Sequence, residues 1–152
     1  MATVIDPQNR PRLVRYETTI ERDDGVVIYQ NGYLAIAETP KYYFVVREEV
    51  HRVSLDMELR RIKETGKVPK SIFGYKVRKV AKEARVSHCY VDEVVAWNSF
   101  RIRQQHRMFH IQKQMDQATK ALEYLATNPH NPPTRWPLGH TPFTEDMNWN
   151  EY

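Results

Sequence analysis

The chain has 152 residues, 41% of them hydrophobic, with 23 Lys+Arg against 19 Asp+Glu and a single cysteine. That composition excludes a disordered chain, and no apolar run reaches the ~18 residues a membrane span requires. One thiol, Cys89, excludes an internal disulfide framework and a thiolate-rich zinc site.

The opening MATVIDPQNRPRLVR lacks the apolar stretch of a secretory signal, so a cytoplasmic protein is expected. Residues 13–22 alternate, with Val14, Tyr16, Thr18 and Ile20 on one face, which predicts a half-buried strand. Asp24-Gly25 predicts a hairpin turn, VVIYQ a second strand, and Asn31-Gly32 a second hairpin turn. YLAIAE and YYFVV, separated by Thr39-Pro40-Lys41, complete a meander of three or four strands over residues 1–49. So small a meander needs a partner layer on its apolar face.

From Glu48 the spacing becomes helical, with Val50, Val53, Leu55, Leu59 and Ile62 apolar, and Gly66 with Pro69 ends that helix. GKVPKSIFGY, residues 66–75, reads as a basic connector. KVRKVAKEA, residues 76–84, predicts a second helix, and a long helix is expected from near His88 to Thr127, a span free of Gly and Pro. The fold class is therefore α+β. An N-terminal antiparallel β-meander (1–49) precedes a helical region with one long helix (50–127) and an extended, proline- and aromatic-rich arm (128–152). Trp136, Phe143, Trp149 and Tyr152 predict that the arm docks on the body or on a neighbouring subunit.

Charge is uneven. Residues 51–126 hold sixteen basic and eight acidic side chains, and Arg60 to Arg85 hold ten Lys/Arg against Glu64 and Glu83. Such an excess attracts polyanions, so nucleic acid is the expected partner.

Residues 77–95, VRKVAKEARVSHCYVDEVV, resemble the helix-turn-helix of the lac-repressor family of transcription regulators. The resemblance rests on Val80, Ala81, Ala84, Val86, Ser87 and Val91, with Arg85 standing where that family has glycine. It implies that Ser87 caps a recognition helix entering the major groove. On this reading the nucleic-acid-binding residues are Lys76, Arg78, Lys79, Lys82, Arg85, Ser87, His88 and Tyr90.

Met108, Ile111, Met115, Ala118, Leu122 and Leu125 repeat at intervals of 3, 4, 3, 4 and 3, a short heptad seam that predicts a homo-oligomer. Arg101, Arg103 and Arg107, with aromatic residues upstream, are candidates for a phosphorylated ligand. His106 and His110 have metal-ligand spacing without the carboxylate or thiol partners that complete a site, so no metal or other cofactor is expected. No enzyme signature is present in the sequence. The leading expectation is a small non-enzymatic nucleic-acid-binding or regulatory protein. The alternatives are an oligomeric structural or assembly protein, viral accessory proteins included, and a binder of a small phosphorylated ligand at an oligomer interface.

Overall fold

The computed structural model describes residues 1–52, 54–130 and 132–141. The chain divides into two compact units, Met1–Phe100 and Arg101–Tyr152. The first unit is built on an antiparallel sheet and the second on a long helix, so the class is mixed α+β.

In the first unit the sheet contains β1 (Thr3–Val4), β2 (Arg12–Glu21), β3 (Gly25–Glu38), β4 (Tyr42–Arg47) and, later in the chain, β7 (Arg78–Ala81). The order is β1-β3-β4-β7, with β2 also paired to β3. Ten residue pairs join β2 to β3, from Arg12 opposite Leu34 to Glu21 opposite Gly25. Gly25 closes that hairpin at φ 72°, a conformation that costs glycine nothing. The turn and the first and fourth strands lie where the sequence predicts them, but burial in β2 does not alternate. Adjacent Leu13 and Val14 are both buried. Ile20, placed on the apolar face, is 83% exposed because the far end of the β2–β3 hairpin has no covering layer among the described residues.

Asn31-Gly32 is not a turn. Both residues lie inside β3, a single fourteen-residue strand, instead of separating two shorter ones. Asn31 is buried, donating from Nδ2 to Glu17 Oε2 at 2.9 Å and accepting from Arg47 Nη2 at 2.9 Å. At Gly32 a Cβ would overlap the Glu48 carboxylate, which Arg12 holds through two hydrogen bonds of 3.0 and 3.1 Å. The glycine is there for a close approach of side chains, which turn statistics do not anticipate.

The sheet buries both faces. On one, Ile36, Ala37 and Val46 meet Val50, Leu55, Ile62, Ile72 and Val77. On the other, Leu13, Tyr33, Ala35, Val45 and Val80 meet Ile5 and Cys89. The first layer is supplied by a 3₁₀ turn (Glu48–Arg52), helix α1 (Asp56–Thr65) and a hairpin of β5 (Ser71–Ile72) and β6 (Tyr75–Lys76). The predicted helix is thus shorter than its apolar spacing, because Asp56 and Glu58 set its N-terminal turn, where acidic side chains favour the helix dipole. Val53, counted in that spacing, lies outside the described residues. Gly66 ends α1 at φ 66°, its N–H bonding Ile62 O at 2.8 Å.

The helix predicted over residues 76–84 is absent. Arg78–Ala81 is strand β7, its four residues paired with Val45 to Tyr42 of β4. A nine-residue helix is marginal alone, whereas the open edge of β4 offers a ladder and a buried seat for Val80. The first helix required by the lac-repressor-like reading therefore does not form, and the second begins only at Glu93. Ser87 caps no helix; its N–H donates to Tyr90 Oη at 2.9 Å. The long helix, α2 (Glu93–Thr127), starts five residues later than His88, where Asp92 Oδ1 accepts the N–H groups of Val94 and Val95 at 2.8 and 3.4 Å. Its first turns bury Ala96 and Phe100, and Trp97 sits edge-on to Tyr16 at 4.9 Å.

In the second unit, residues 128–130 and 132–141 form neither helix nor strand, as their prolines dictate. Trp136 lies 6.0 Å from the Tyr124 ring, and Lys120 Nζ donates to Leu138 O at 3.3 Å. The described part of the arm thus folds against the end of α2. Phe143, Trp149 and Tyr152 lie outside the described residues.

Candidate nucleic-acid interface

The hairpin β5–β6 occupies the stretch read from sequence as a connector. Ile72 and Val77 anchor it in the core, and Val77 N–H donates to Lys70 O at 2.9 Å. Its two-residue turn is Phe73-Gly74, with φ 49° and 79°. Two positive φ values define a type I′ turn, whose first position favours Asn, Asp or Gly. Phe73 is the one described residue other than glycine with positive φ. A bulky side chain in that region costs roughly 1–2 kcal/mol, and here nothing is recovered by burial, since Phe73 is 52% exposed. The strain at Phe73 is therefore not offset by packing of its own ring. Tyr75, two residues on, is also exposed.

Around this tip basic side chains outnumber acidic ones. Arg60, Arg61 and Lys63 stand exposed on α1, Lys67 and Lys70 on the segment that follows, and Lys76 on β6. Glu64 is the one exposed acid within that span, and none of the six cations is ion-paired among the described residues. Between α1 and the hairpin runs a groove of about 460 Å³, lined by Glu58, Arg61, Lys67, Val68, Ile72 and Phe73 among others. An apolar floor, a protruding ring and a basic rim fit a chain of bases and phosphates.

The remaining sequence-predicted residues are dispersed. Lys79 Nζ lies 4.2 Å from the Tyr42 ring centroid. Lys82 Nζ is 2.6 Å from Glu38 Oε2 and 4.7 Å from the Tyr43 ring, so its charge is already neutralised within the sheet. Arg78 is half-buried on β7, and Arg85 is exposed on the loop that follows. His88 faces the protein interior, its Nε2 3.1 Å from Tyr33 Oη. Tyr90 exchanges backbone hydrogen bonds with Val14 at 2.7 and 3.0 Å and extends the sheet rather than a recognition helix. None of the eight predicted residues lines the groove; Lys76 is the one on the β5–β6 hairpin beside it. Phe73 and Tyr75 escape sequence reasoning because Phe-Gly is a poor turn signal; apolar Ile72 and Val77 flanking a glycine are the available clue.

Arg101, Arg103 and Arg107 lie on α2 in the second unit. At about 100° per residue, Arg101 and Arg103 project about 160° apart, so the three do not converge on one phosphate. Among the described residues no group of three His, Cys, Asp or Glu is gathered for a metal, and no helix is long and apolar enough to cross a membrane.

Cys89 is buried beneath the sheet, and that burial pushes its thiol up to about 12, against the smaller opposing pull of Arg15 and Arg78. The folded state holds the proton more tightly than an unfolded chain, whose thiol titrates near 9.0. This contribution to stability is whole below pH 9 and is lost as pH climbs toward 12. At neutral pH a disulfide reagent should label Cys89 no faster than the protein unfolds. Rapid native-state labelling would show the thiol to be open.

Comparison with protein-family models, with curated proteins and with solved structures finds no match to this chain.

Proposed function

We propose that the protein is a non-enzymatic, cytoplasmic nucleic-acid-binding protein that holds a single strand in the groove between α1 and the β5–β6 hairpin. The observation that supports this reading is an exposed aromatic in a strained backbone conformation, set within six cations that have no ion pair among the described residues. Arg61 and Lys67, which line the groove, and Lys70 and Lys76 beside the hairpin meet phosphates, and Phe73 and Tyr75 stack on bases. Base stacking on an aromatic contributes about 1–3 kcal/mol and tolerates any sequence. A protruding ring of this kind finds unstacked bases in a single strand and none in an intact duplex, which sets the preference.

The test is binding of a fluorescent single-stranded oligonucleotide across a salt series. Affinity should fall steeply with salt. Lys67→Glu with Lys70→Glu should weaken it and reduce the logarithmic slope by roughly 1.4, about 0.7 for each phosphate no longer neutralised. Arg22→Glu with Lys41→Glu changes net charge equally at exposed positions outside the groove and should leave the slope unaltered. Equal loss in both variants, or no binding at low salt, would overturn the reading.

A further inference from the structure

We infer that Glu58 makes the groove selective for guanine, its carboxylate accepting hydrogen bonds from N1–H and the 2-amino group of an unpaired guanine in the bound strand. The inference rests on the single-strand reading above and names the base that the groove prefers.

Glu58 is the one acid among the residues that line the groove. It is half-buried, and its carboxylate has neither an ion pair nor a hydrogen bond among the described residues, although Arg61 stands three residues on along the same helix. The helix dipole favours an acid at this end of α1, but Asp56 meets that need from solvent and does not require a second carboxylate in the groove. The other charged residues of the groove, Arg61 and Lys67, are cations. A carboxylate among them repels the phosphates they attract. The part of a strand it meets favourably is a base edge that carries N–H donors.

The bases differ in the edge they offer. An ionised carboxylate only accepts, through two oxygens side by side. Adenine and cytosine each present one amino group next to a ring nitrogen that is itself an acceptor. Thymine and uracil present one N–H between two carbonyls. Guanine alone presents two adjacent donors, so both oxygens are used and no acceptor is forced against the negative charge. Its O6 needs a donor, which Ser71, Arg61 and Lys67 supply from the same groove. Thr65 does not compete, since its Oγ1 donates to Arg61 O at 2.6 Å and accepts from the Lys67 N–H at 3.2 Å. Stacking on Phe73 tolerates any base, and Glu58 supplies the choice. In a duplex the same guanine edge is taken by cytosine, which adds to the preference for a single strand.

Short fluorescent oligothymidylates carrying one central guanine, hypoxanthine, adenine or cytosine, titrated with the full chain at one salt concentration, test this. Guanine should be held roughly 5- to 100-fold more tightly than adenine or cytosine. Hypoxanthine keeps N1–H and lacks the 2-amino group, so it should fall between. Glu58→Gln offers one acceptor and one donor, so the guanine preference should vanish and adenine should gain. Asp56→Asn removes an acid from the same helical turn outside the groove and should leave the order of bases unaltered. Equal affinity for all the strands, equal binding of guanine and hypoxanthine, or an unchanged order in Glu58→Gln would overturn the inference while the salt-dependent binding of the groove stands. Failure of every oligonucleotide to bind at low salt would overturn both.

Discussion

Ile62→Ala should be among the most damaging single substitutions in the first unit, costing about 2–5 kcal/mol. Ile62 is the buried residue of α1, fully enclosed by Ile36, Ala37, Val46, Val50, Leu55, Ile72 and Val77. A ten-residue helix has little stability of its own, so α1 is held on the sheet chiefly by this one side chain and the partly buried Leu59. The methylenes removed lose their transfer free energy and leave a cavity that rigid strands cannot collapse into. For a unit of about 100 residues the melting temperature should drop by roughly 10–20 °C. Met57→Ala, at an exposed site on the same helix, should change it by no more than a few degrees. Thermal unfolding followed by circular dichroism distinguishes the two, and equal behaviour would mean that α1 is not anchored through Ile62. Because Arg60, Arg61 and Lys63 ride on α1, Ile62→Ala should also weaken oligonucleotide binding at temperatures where part of the population has lost the helix.

Phe73→Asn should move stability and binding in opposite directions. Asparagine tolerates positive φ and is favoured before glycine in a type I′ turn, so the hairpin should gain about 1 kcal/mol. The same change removes a ring on which a base stacks, worth about 1–3 kcal/mol, and affinity for a single strand should fall roughly 5- to 100-fold. The salt slope should hold, because no cation is touched. A residue retained only for folding would give the reverse pattern, with stability lost and binding unchanged. Stability and affinity measured on the same preparation therefore separate the two roles.

Local signals are legible where local physics decides the outcome. The existence of strand β2, the turn at Gly25, strand β4, the stop at Gly66 and the C-terminal end of α2 at Thr127 are each set by neighbours in sequence. Residues 76–84 mislead because their helical propensity competes with an open edge on β4 that no local pattern reveals. Asn31-Gly32 misleads because its partners lie far along the chain: Asn31 bonds Glu17 and Arg47, and Gly32 makes room for Arg12 and Glu48, twenty residues back and sixteen on. The basic excess is legible as charge. Its focus is not, since Lys79 and Lys82 are drawn onto Tyr42, Tyr43 and Glu38, while Phe73, an ordinary residue in sequence, is raised into solvent by the hairpin.

The glycine beneath the Arg12–Glu48 pair has a bearing on how the sheet assembles. Strands β2, β3 and β4 could slide past one another by two residues and still keep their apolar faces inward, so hydrophobic pattern alone does not select among such alignments. Val14 stands opposite Gly32 on one side, and Arg47, opposite Tyr33 on the other, delivers Glu48 over the same point. Shifting β3 by two residues in either direction would bring Gln30 or Leu34 there, and the Cβ of either would occupy the space the carboxylate takes. In either alignment the carboxylate would have to move aside from Arg12, so the position without a side chain favours the observed register, by no more than the small free energy of an ion pair this exposed.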